Sequence, residues 1–348
     1  MGIKVCHSRH SRVDAVLVKR VEALGAALRP TPVVRLEDPR LNLFAKLEYL
    51  SVVGSLKDRP AYFMLRDAIR RGDVHRTTTV VESSSGNTGA ALAVFCRILG
   101  LTFLPIVDPN IQGHYQGILE STCAQVVCVD ERDESGGYLK NRLAKARELL
   151  QAIGDAFWTD QYRNPSAMAA HYELTAGEII ASFSALDYIF VGVSTAGTIA
   201  GVSRRLKAHF PGVKVVAVDA EGSVIFGQRP RRRYIPGIGS SIVPGLLRYA
   251  RIDGAVHVRE LDAIEGCHEL LREHQLLAGG SSGSSYAAIK AYPFPKPNPT
   301  VLFLCADRGT AYMDTIFDPD WVAWRRDQEQ SAPPLRSRSR ESKAAMRA

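Results

Sequence analysis

Two patterns of apolar and polar positions alternate along most of this chain. Short and nearly continuous apolar runs are typical of strands buried in a parallel sheet, and the longer amphipathic stretches between them are typical of helices. This alternation predicts an α/β fold with open, twisted parallel sheets and helices on both faces. The predicted strands are LNLFAKLEY, TTVVESS, LTFLPIVD, DYIFVGVS, VKVVAVDA and TVLFLCA, and the main predicted helices are KDRPAYFMLRDAIRRG, TGAALAVFCRILG and one from about Thr198.

The length of the chain favours two units of this kind. Its 348 residues exceed a comfortable single core, and a hydrophobic content of 46% is enough to bury two. The strand–helix pattern resumes after residue 155, so we expect two α/β units that face one another. Ligands of such sheets lie at the carboxyl ends of the strands.

The net charge of +8 arises from two short segments of the chain. One contribution is the cluster Arg229, Arg231, Arg232 and Arg233, and the other is the segment from Arg325 onward, with seven basic and three acidic residues. Charge runs without interleaved aromatic residues are usually solvated, so no nucleic-acid partner is expected. The segment 325–348 has few apolar residues and is predicted to be disordered.

Cysteine spacing and hydropathy exclude several other classes of protein. The six cysteines show neither CxxC spacing nor a Cys/His cluster, so we expect reduced thiols, no disulfide and no metal. No run approaches the roughly eighteen apolar residues of a membrane span, and the N-terminus lacks the apolar core of a signal peptide. A cytoplasmic location is therefore expected.

Four small, hydroxyl-rich segments carry the candidate chemistry: GSLKDR at 54–59, SSSGNTG at 83–89, STAGT at 194–198 and GGSSG at 279–283. Alone, the first, second and fourth have ordinary structural explanations: a surface lysine, a polar turn with a helix cap, and a linker. Together they offer a lysine that can form a Schiff base with pyridoxal phosphate and loops whose amides and hydroxyls can bind its ring, its phosphate and a carboxylate.

In this order and at these separations, the segments resemble the cysteine synthase/cystathionine β-synthase family, which has fold type II of the pyridoxal phosphate enzymes. The resemblance runs from about Pro30 to Trp324 and implies a homodimer that catalyses β-replacement. It implies a smaller domain of residues 44–155 and a larger one of residues 13–43 and 156–324.

The resemblance also implies residue roles. Lys57 is the catalytic Schiff-base lysine, Asn87 binds the 3-hydroxyl of the cofactor, and the hydroxyl of Ser281 meets its pyridine nitrogen. Because a neutral hydroxyl does not keep that nitrogen protonated, β-elimination is favoured over transamination. The chain departs from the family pattern at Ser51, Val52, Ser194 and Ala196. The substrate carboxylate is assigned to Ser84, Ser85, Gly86, Thr88 and Gln161, and the cofactor phosphate to Ser194, Thr195, Ala196, Gly197 and Thr198.

The strings FAKLEY, GSLKDRPA, VDAEGSVIFG and PGIGSS resemble the branch of the family that supplies 2,3-diaminopropionate for siderophores and antibiotics. This resemblance implies that O-phospho-L-serine and L-glutamate are joined to give N-(2-amino-2-carboxyethyl)-L-glutamate and phosphate. It also implies a partner oxidoreductase of the ornithine cyclodeaminase type. Arg142 and Tyr162 are candidate contacts for the glutamate, although a solvated arginine and a packing tyrosine explain them equally well.

Two alternatives stay open from sequence. A cysteine synthase would use sulfide and would need no carboxylate clamp for its second substrate. A catalytically silent scaffold with the same fold belongs to a different class, and the presence of Lys57 with all its supporting loops argues against it.

Overall fold

The computed structural model describes residues 13–134 and 136–330. Within these residues ten strands form two sheets, and six of the ten coincide with the apolar runs that the sequence predicts as strands. The strands are β1 (Val33–Leu36), β2 (Asn42–Leu47), β3 (Thr79–Ser83), β4 (Thr102–Val107), β5 (Val127–Cys128), β6 (Ala156–Trp158), β7 (Tyr188–Gly192), β8 (Lys214–Ala220), β9 (Gly254–Val258) and β10 (Thr300–Cys305).

The helices occupy the amphipathic stretches between the strands. Gly72 and Gly100 end two of them in the left-handed conformation, with φ of 76° and 74°, which glycine adopts without steric cost. No helix in the described part of the chain is long and apolar enough to cross a membrane. The α-helices are α1 (Ala15–Ala27), α2 (Asp58–Arg71), α3 (Asn87–Leu99), α4 (Gly113–Thr122), α5 (Leu139–Ala152), α6 (Pro165–Ala170), α7 (Ala176–Ser182), α8 (Gly197–His209), α9 (Glu260–His274), α10 (Gly280–Ala291) and α11 (Pro319–Gln330).

Three shorter helical segments complete the inventory of the described residues. A π-helical turn, His171–Thr175, continues α6 into α7, and two 3-10 helices occupy Gly245–Tyr249 and Gly309–Tyr312.

The larger sheet has the strand order β1-β2-β10-β7-β8-β9, and the smaller one has the order β5-β4-β3-β6. All neighbouring strands are parallel except β1, which pairs with β2 in the antiparallel direction. The predicted α/β fold with two parallel sheets is confirmed.

Helices cover both faces of the larger sheet. Along β10, Val301 and Phe303 point into a core that includes residues of α9 and α10. Leu302 and Leu304 point the other way, into a core with residues of α7 and α8. A strand that is buried on both faces needs a continuous apolar run, which explains the sequence of β10.

The smaller sheet is covered in the same way. Val80 and Phe103 pack into a core with residues of α2 and α3, whereas Val81 and Leu104 share a core with Ala146 of α5. Both sheets therefore present their strand ends, rather than their faces, to solvent and ligands.

The strand pairing bears on the expected domain limits, which stay a prediction. Residue 44 lies inside β2, and β2 remains paired with β10 as far as Leu47. The strand β6 pairs with β3 of the smaller sheet, although it begins after residue 155. The helix α1 packs against α2 and α3 rather than against the larger sheet. The pairing would move the first limit to the end of β2 and the second to the end of β6.

The expectation of a disordered segment from residue 325 is wrong for its first part. The helix α11 continues to Gln330, and the buried Arg325 donates from Nε to Glu260 Oε2 at 2.9 Å. The side chain of Val322, one turn earlier, is buried in the core of the larger sheet. Composition alone missed this contact because the partner carboxylate is distant in sequence. The rest of the segment, residues 331–348, lies outside the described residues.

A buried cluster of charges fixes the start of α2. Lys46 of β2 and Glu48 are fully buried, and Arg59 of α2 is 2% exposed. Arg59 pairs with Glu48 at 2.6 Å and with Glu178 of α7 at 2.6 Å, and Lys46 pairs with Glu178 at 2.6 Å. Two cations and two anions balance one another, and the hydroxyl of Thr31 adds a hydrogen bond to Glu48 at 2.7 Å. The cluster thereby joins β2, α2 and α7.

Glu48→Ala should lower the free energy of unfolding by about 3–5 kcal/mol, because it leaves two buried cations with one anion. Urea unfolding of the full chain measures this change. Glu22→Ala, which removes an exposed partner of Arg70, is the control and should cost less than about 1 kcal/mol. Equal effects of the two substitutions would contradict the role of the cluster.

Candidate active site

The structure brings the four hydroxyl-rich segments together at the ends of the strands. The segment after β3 leads into α3, the segment after β7 leads into α8, and Lys57 directly precedes α2. A cavity of about 50 Å³ is lined by Lys57, Asn87, Thr195 and Ser281, among others. A larger cavity of about 490 Å³ shares the first three of these residues. The carboxyl ends of the strands are thus the ligand-binding edge, as the topology predicts.

The surroundings of Lys57 favour the neutral form of its amino group, which is the form that attacks an aldehyde. The side chain is partly buried, and no described residue forms a hydrogen bond or an ion pair with the amine. Burial lowers the pKa of Lys57 to about 8, and the Asp307 carboxylate opposes this shift. At pH 7, about one such side chain in ten is then neutral, compared with about one in three thousand at the ordinary pKa. Only the neutral amine is a nucleophile.

The loop between β3 and α3 forms one wall of the larger cavity, to which Ser84, Ser85, Gly86 and Thr88 all contribute. The Thr88 hydroxyl donates to Gln161 Oε1 at 2.8 Å, so the structure brings this predicted pair together. The N-terminus of α3 adds backbone N–H groups without intrahelical acceptors. This arrangement can hold a carboxylate.

Glu82, which the sequence analysis did not single out, supports this wall from behind. Its buried carboxyl group accepts hydrogen bonds from the Thr159 hydroxyl and from the backbone N–H groups of Ser83 and Gln161, the last at 3.2 Å. Burial raises the pKa of Glu82 to about 7. The amide of Gln161 also donates to the carbonyl of Ser83 at 3.2 Å. These bonds hold Gln161 against the loop.

The loop at 194–198 ends at the N-terminus of α8. Ala196 caps this helix with φ 63° and ψ −1°, the left-handed region that favours glycine. The hydroxyl of Thr198 lies 3.2 Å from His171 Nε2. Burial, with the charges of Lys57 and Arg59, lowers the pKa of His171 well below its usual range, so the imidazole is neutral. The free N–H groups of a helix start suit a phosphate.

Ser281 and Asn87 line the smaller cavity from two different helices, α10 and α3. Ser281 lies in the first turn of α10, and no described residue hydrogen-bonds to its hydroxyl. Asn87 begins α3, and both ends of its amide are engaged: Nδ2 donates to Asp307 at 2.7 Å and Oδ1 accepts from Tyr115 at 2.9 Å. A free hydroxyl and a fixed amide therefore face the same cavity.

Arg142 and Tyr162 both line the larger cavity, and their contact with a second substrate stays a prediction. The guanidinium of Arg142 donates to the Ser85 hydroxyl at 2.8 Å and pairs with Asp108 at 3.2 Å, so its charge is partly balanced. Burial raises the pKa of Tyr162, and the nearby Arg142 opposes the shift. The structure places these two side chains at the cavity without assigning them a ligand.

Arg233 and Asp307 are site residues that the sequence analysis did not identify individually. Arg233 lines the larger cavity and Asp307 the smaller one. The signal for Asp307 is its position two residues after the buried run VLFLC, just beyond the carboxyl end of a strand. For Arg233, its place in the arginine cluster gave no signal that separated it from its exposed neighbours.

The donor set fits pyridoxal phosphate. An amine and a hydroxyl without partners face one cavity that also includes a helix N-terminus, which matches an aldehyde, a ring nitrogen and a phosphate. No group of three or more His, Cys, Asp and Glu side chains in residues 13–134 and 136–330 is arranged to hold a metal ion. The cysteines of the same residues are free thiols.

Comparisons with known proteins agree with this fit. Residues 25–306 match the family model described as pyridoxal-phosphate dependent enzyme. The N-(2-amino-2-carboxyethyl)-L-glutamate synthase of Ralstonia nicotianae is 41% identical over 299 residues, which cover 84% of this chain and 88% of that protein. The O-acetylserine dependent cystathionine β-synthase of Helicobacter pylori is similar with a TM-score of 0.77 and 27% identity, covering 87% of this chain and 98% of that one. O-ureido-L-serine synthase is similar with a TM-score of 0.76 and 27% identity, covering 90% and 100%.

Ala196→Gly should raise the free energy of unfolding by about 0.5–1 kcal/mol, because glycine relieves the positive φ at this position. Thermal or urea unfolding measures the change. Ala200→Gly, in the interior of the same helix, should instead lower it by about 1 kcal/mol or more. The strain argument fails if both substitutions destabilise the protein equally.

Proposed function

The chain belongs to the family of pyridoxal-phosphate dependent enzymes, and we propose that it joins O-phospho-L-serine to L-glutamate. The products would be N-(2-amino-2-carboxyethyl)-L-glutamate and phosphate. The observation that carries this proposal is the 41% identity, over 84% of the chain, to a synthase named for that product. The family match and this identity show that the chain is a pyridoxal-phosphate dependent synthase. The identity of its two substrates is the proposal.

Fold similarity alone does not select the second substrate. The solved structures similar to this chain include an O-acetylserine dependent cystathionine β-synthase and an O-ureido-L-serine synthase, at 27% identity each. A cysteine synthase that uses sulfide therefore remains the competing candidate. The choice rests on the residues that line the larger cavity.

For the first substrate, we propose that the loop of Ser84, Ser85, Gly86 and Thr88 binds the α-carboxylate, with Gln161 beside it. Their place on one wall of the cavity and the Thr88–Gln161 hydrogen bond support this role. When bound, pyridoxal phosphate withdraws electrons from the α-carbon of an amino acid and makes its α-proton acidic.

Lys57 would hold the cofactor and then accept that α-proton. A neutral amine is required for both tasks, and a pKa of about 8 keeps a useful fraction neutral near pH 7. Loss of the proton allows the phosphate group to leave from the β-carbon, where the amine of glutamate would add. The Ser281 hydroxyl, a neutral partner for the ring nitrogen, would favour this elimination.

Arg233 supports an acidic second substrate. Its guanidinium donates to the Gly222 carbonyl at 2.6 Å and to the Ser241 hydroxyl at 3.2 Å, which fixes its direction. No described Asp or Glu forms an ion pair with it. Burial lowers the pKa of Arg233, and Asp219 and Glu260 oppose that shift without touching the group. A partly buried cation without a counter-ion suits an anionic ligand.

We propose that Arg233 anchors a carboxylate of glutamate, with Arg142 and Tyr162 nearby. The charge of Arg142 is partly balanced by Asp108 at 3.2 Å, whereas that of Arg233 is not, so Arg233 is the stronger anchor. Sulfide would need neither arginine. A cytoplasmic homodimer and a partner oxidoreductase of the ornithine cyclodeaminase type complete the proposal by resemblance alone.

Product masses test the proposed reaction directly. The purified enzyme, supplied with O-phospho-L-serine and L-glutamate, should release phosphate and form N-(2-amino-2-carboxyethyl)-L-glutamate. With sulfide in place of glutamate, cysteine should form at less than about a tenth of that rate. Efficient cysteine formation without any glutamate adduct would establish the competing candidate, and a colourless, inactive preparation would indicate a silent scaffold.

Arg233→Gln should raise the apparent KM for glutamate about ten- to a hundredfold, because it removes one charge-assisted contact. The KM for phosphoserine should stay within about twofold. Arg229→Gln, in the exposed part of the same loop, is the matched control and should change neither constant. A rise in the KM for phosphoserine alone would instead assign Arg233 to the leaving phosphate.

A further inference from the structure

Asp307 connects three of the four segments that carry the candidate chemistry. Its backbone forms a bridge with Ser55, two residues before Lys57, and its carbonyl accepts from Gly279 N–H at 3.0 Å, at the start of α10. Its carboxylate accepts from Asn87 at 2.7 Å and is 3% exposed. The residue therefore lies where the groups of the smaller cavity meet.

The space around this carboxylate leaves it little freedom. The Tyr312 hydroxyl donates to Oδ2 at 2.6 Å, beside the donor from Asn87. Oδ1 is buried, and none of the residues that the structure describes forms a hydrogen bond with it. A Cβ on Gly279 would lie 2.2 Å from that oxygen and 2.6 Å from the Tyr312 ring, so only glycine fits there. Close packing on one side and two donors on the other fix the direction of the carboxylate.

A fixed carboxylate decides which way the Asn87 amide turns. Oδ2 of Asp307 already accepts from the Tyr312 hydroxyl and acts as an acceptor, so the NH₂ end of Asn87 must face it. At the other end of the amide, the hydroxyl of Tyr115 donates to Oδ1 at 2.9 Å. The reverse orientation would set oxygen against oxygen at Asp307. One N–H of Asn87 is thereby used, and the second remains for a ligand in the cavity that Asn87 lines.

We propose that Asp307, together with Tyr115, is a positioning residue that turns the free N–H of Asn87 toward the 3-oxygen of the cofactor ring. The inference rests on the cofactor role of Asn87 and is independent of which second substrate is used. A donor at this point stabilises the ionised 3-oxygen, whereas the reversed amide would present lone pairs to it. The direction of a single amide thus affects both cofactor affinity and the protonation of the bound ring.

A double-mutant cycle on cofactor binding tests the proposal. In the full-length protein stripped of cofactor, Asp307→Asn should weaken pyridoxal phosphate binding about tenfold, because an amide at 307 can present either end to Asn87. In an Asn87→Ala background, the same substitution should change the dissociation constant by less than about twofold. Equal weakening in both backgrounds would mean that Asp307 only maintains the fold, and would overturn the proposal.

A second variant keeps the test decisive if Asp307→Asn does not fold. Tyr115→Phe removes one hydroxyl from the other end of the amide and should weaken binding about three- to tenfold. It should also shift upward the pH at which the absorption bands of the bound cofactor interconvert. Tyr286→Phe, a buried tyrosine bonded to His274 away from the cavity, is the matched control. Unchanged affinity and an unchanged spectrum in Tyr115→Phe would contradict the proposal.

Discussion

The site depends on one junction, where the strand β10 ends and the chain turns at Asp307. The backbone there bonds to the segment before Lys57, through Leu56 N–H and the Ala306 carbonyl at 2.7 Å, and to Gly279 at the start of α10. The side chain reaches across to Asn87. Segments that lie far apart in sequence and belong to both sheets therefore share one rigid point. Without the junction at Asp307, no shared contact would fix the positions of these loops relative to one another.

Two lysines of this chain, eleven positions apart, show how the surroundings assign function to a residue type. Lys46 is fully buried, yet Glu48 and Glu178 surround it with negative charge, so it serves as part of a balanced structural cluster. Among the described residues Lys57 has no such partner, and burial lowers its pKa to about 8. The cluster also anchors α2, whose first residue follows Lys57. Lys46 thus helps to hold α2 in place, and Lys57 at the start of that helix is left to react.

Local patterns were enough to predict six of the ten strands and the helices after Lys57 and Asn87. They also indicated the convergence of the four segments, because strand ends of a parallel sheet meet at one edge. Local patterns could not predict contacts between residues that lie far apart in sequence. Composition assigned Arg325 to a disordered segment because its partner, Glu260, is sixty-five positions away. The arginine cluster could not be divided into exposed members and the unpaired Arg233 without the positions of Gly222 and Ser241. Asp307 follows a predicted strand but lacks a motif of its own, and its contacts were needed to show its role.

We propose that Lys57 is the amine that holds the cofactor in this protein. Borohydride reduction of the cofactor-loaded enzyme fixes the cofactor permanently to its amine, and proteolysis with mass spectrometry then locates it. We expect a single modified peptide that carries the label on Lys57. Label on another lysine, or a protein whose Lys57→Ala variant is labelled as fully as the wild type, would contradict it.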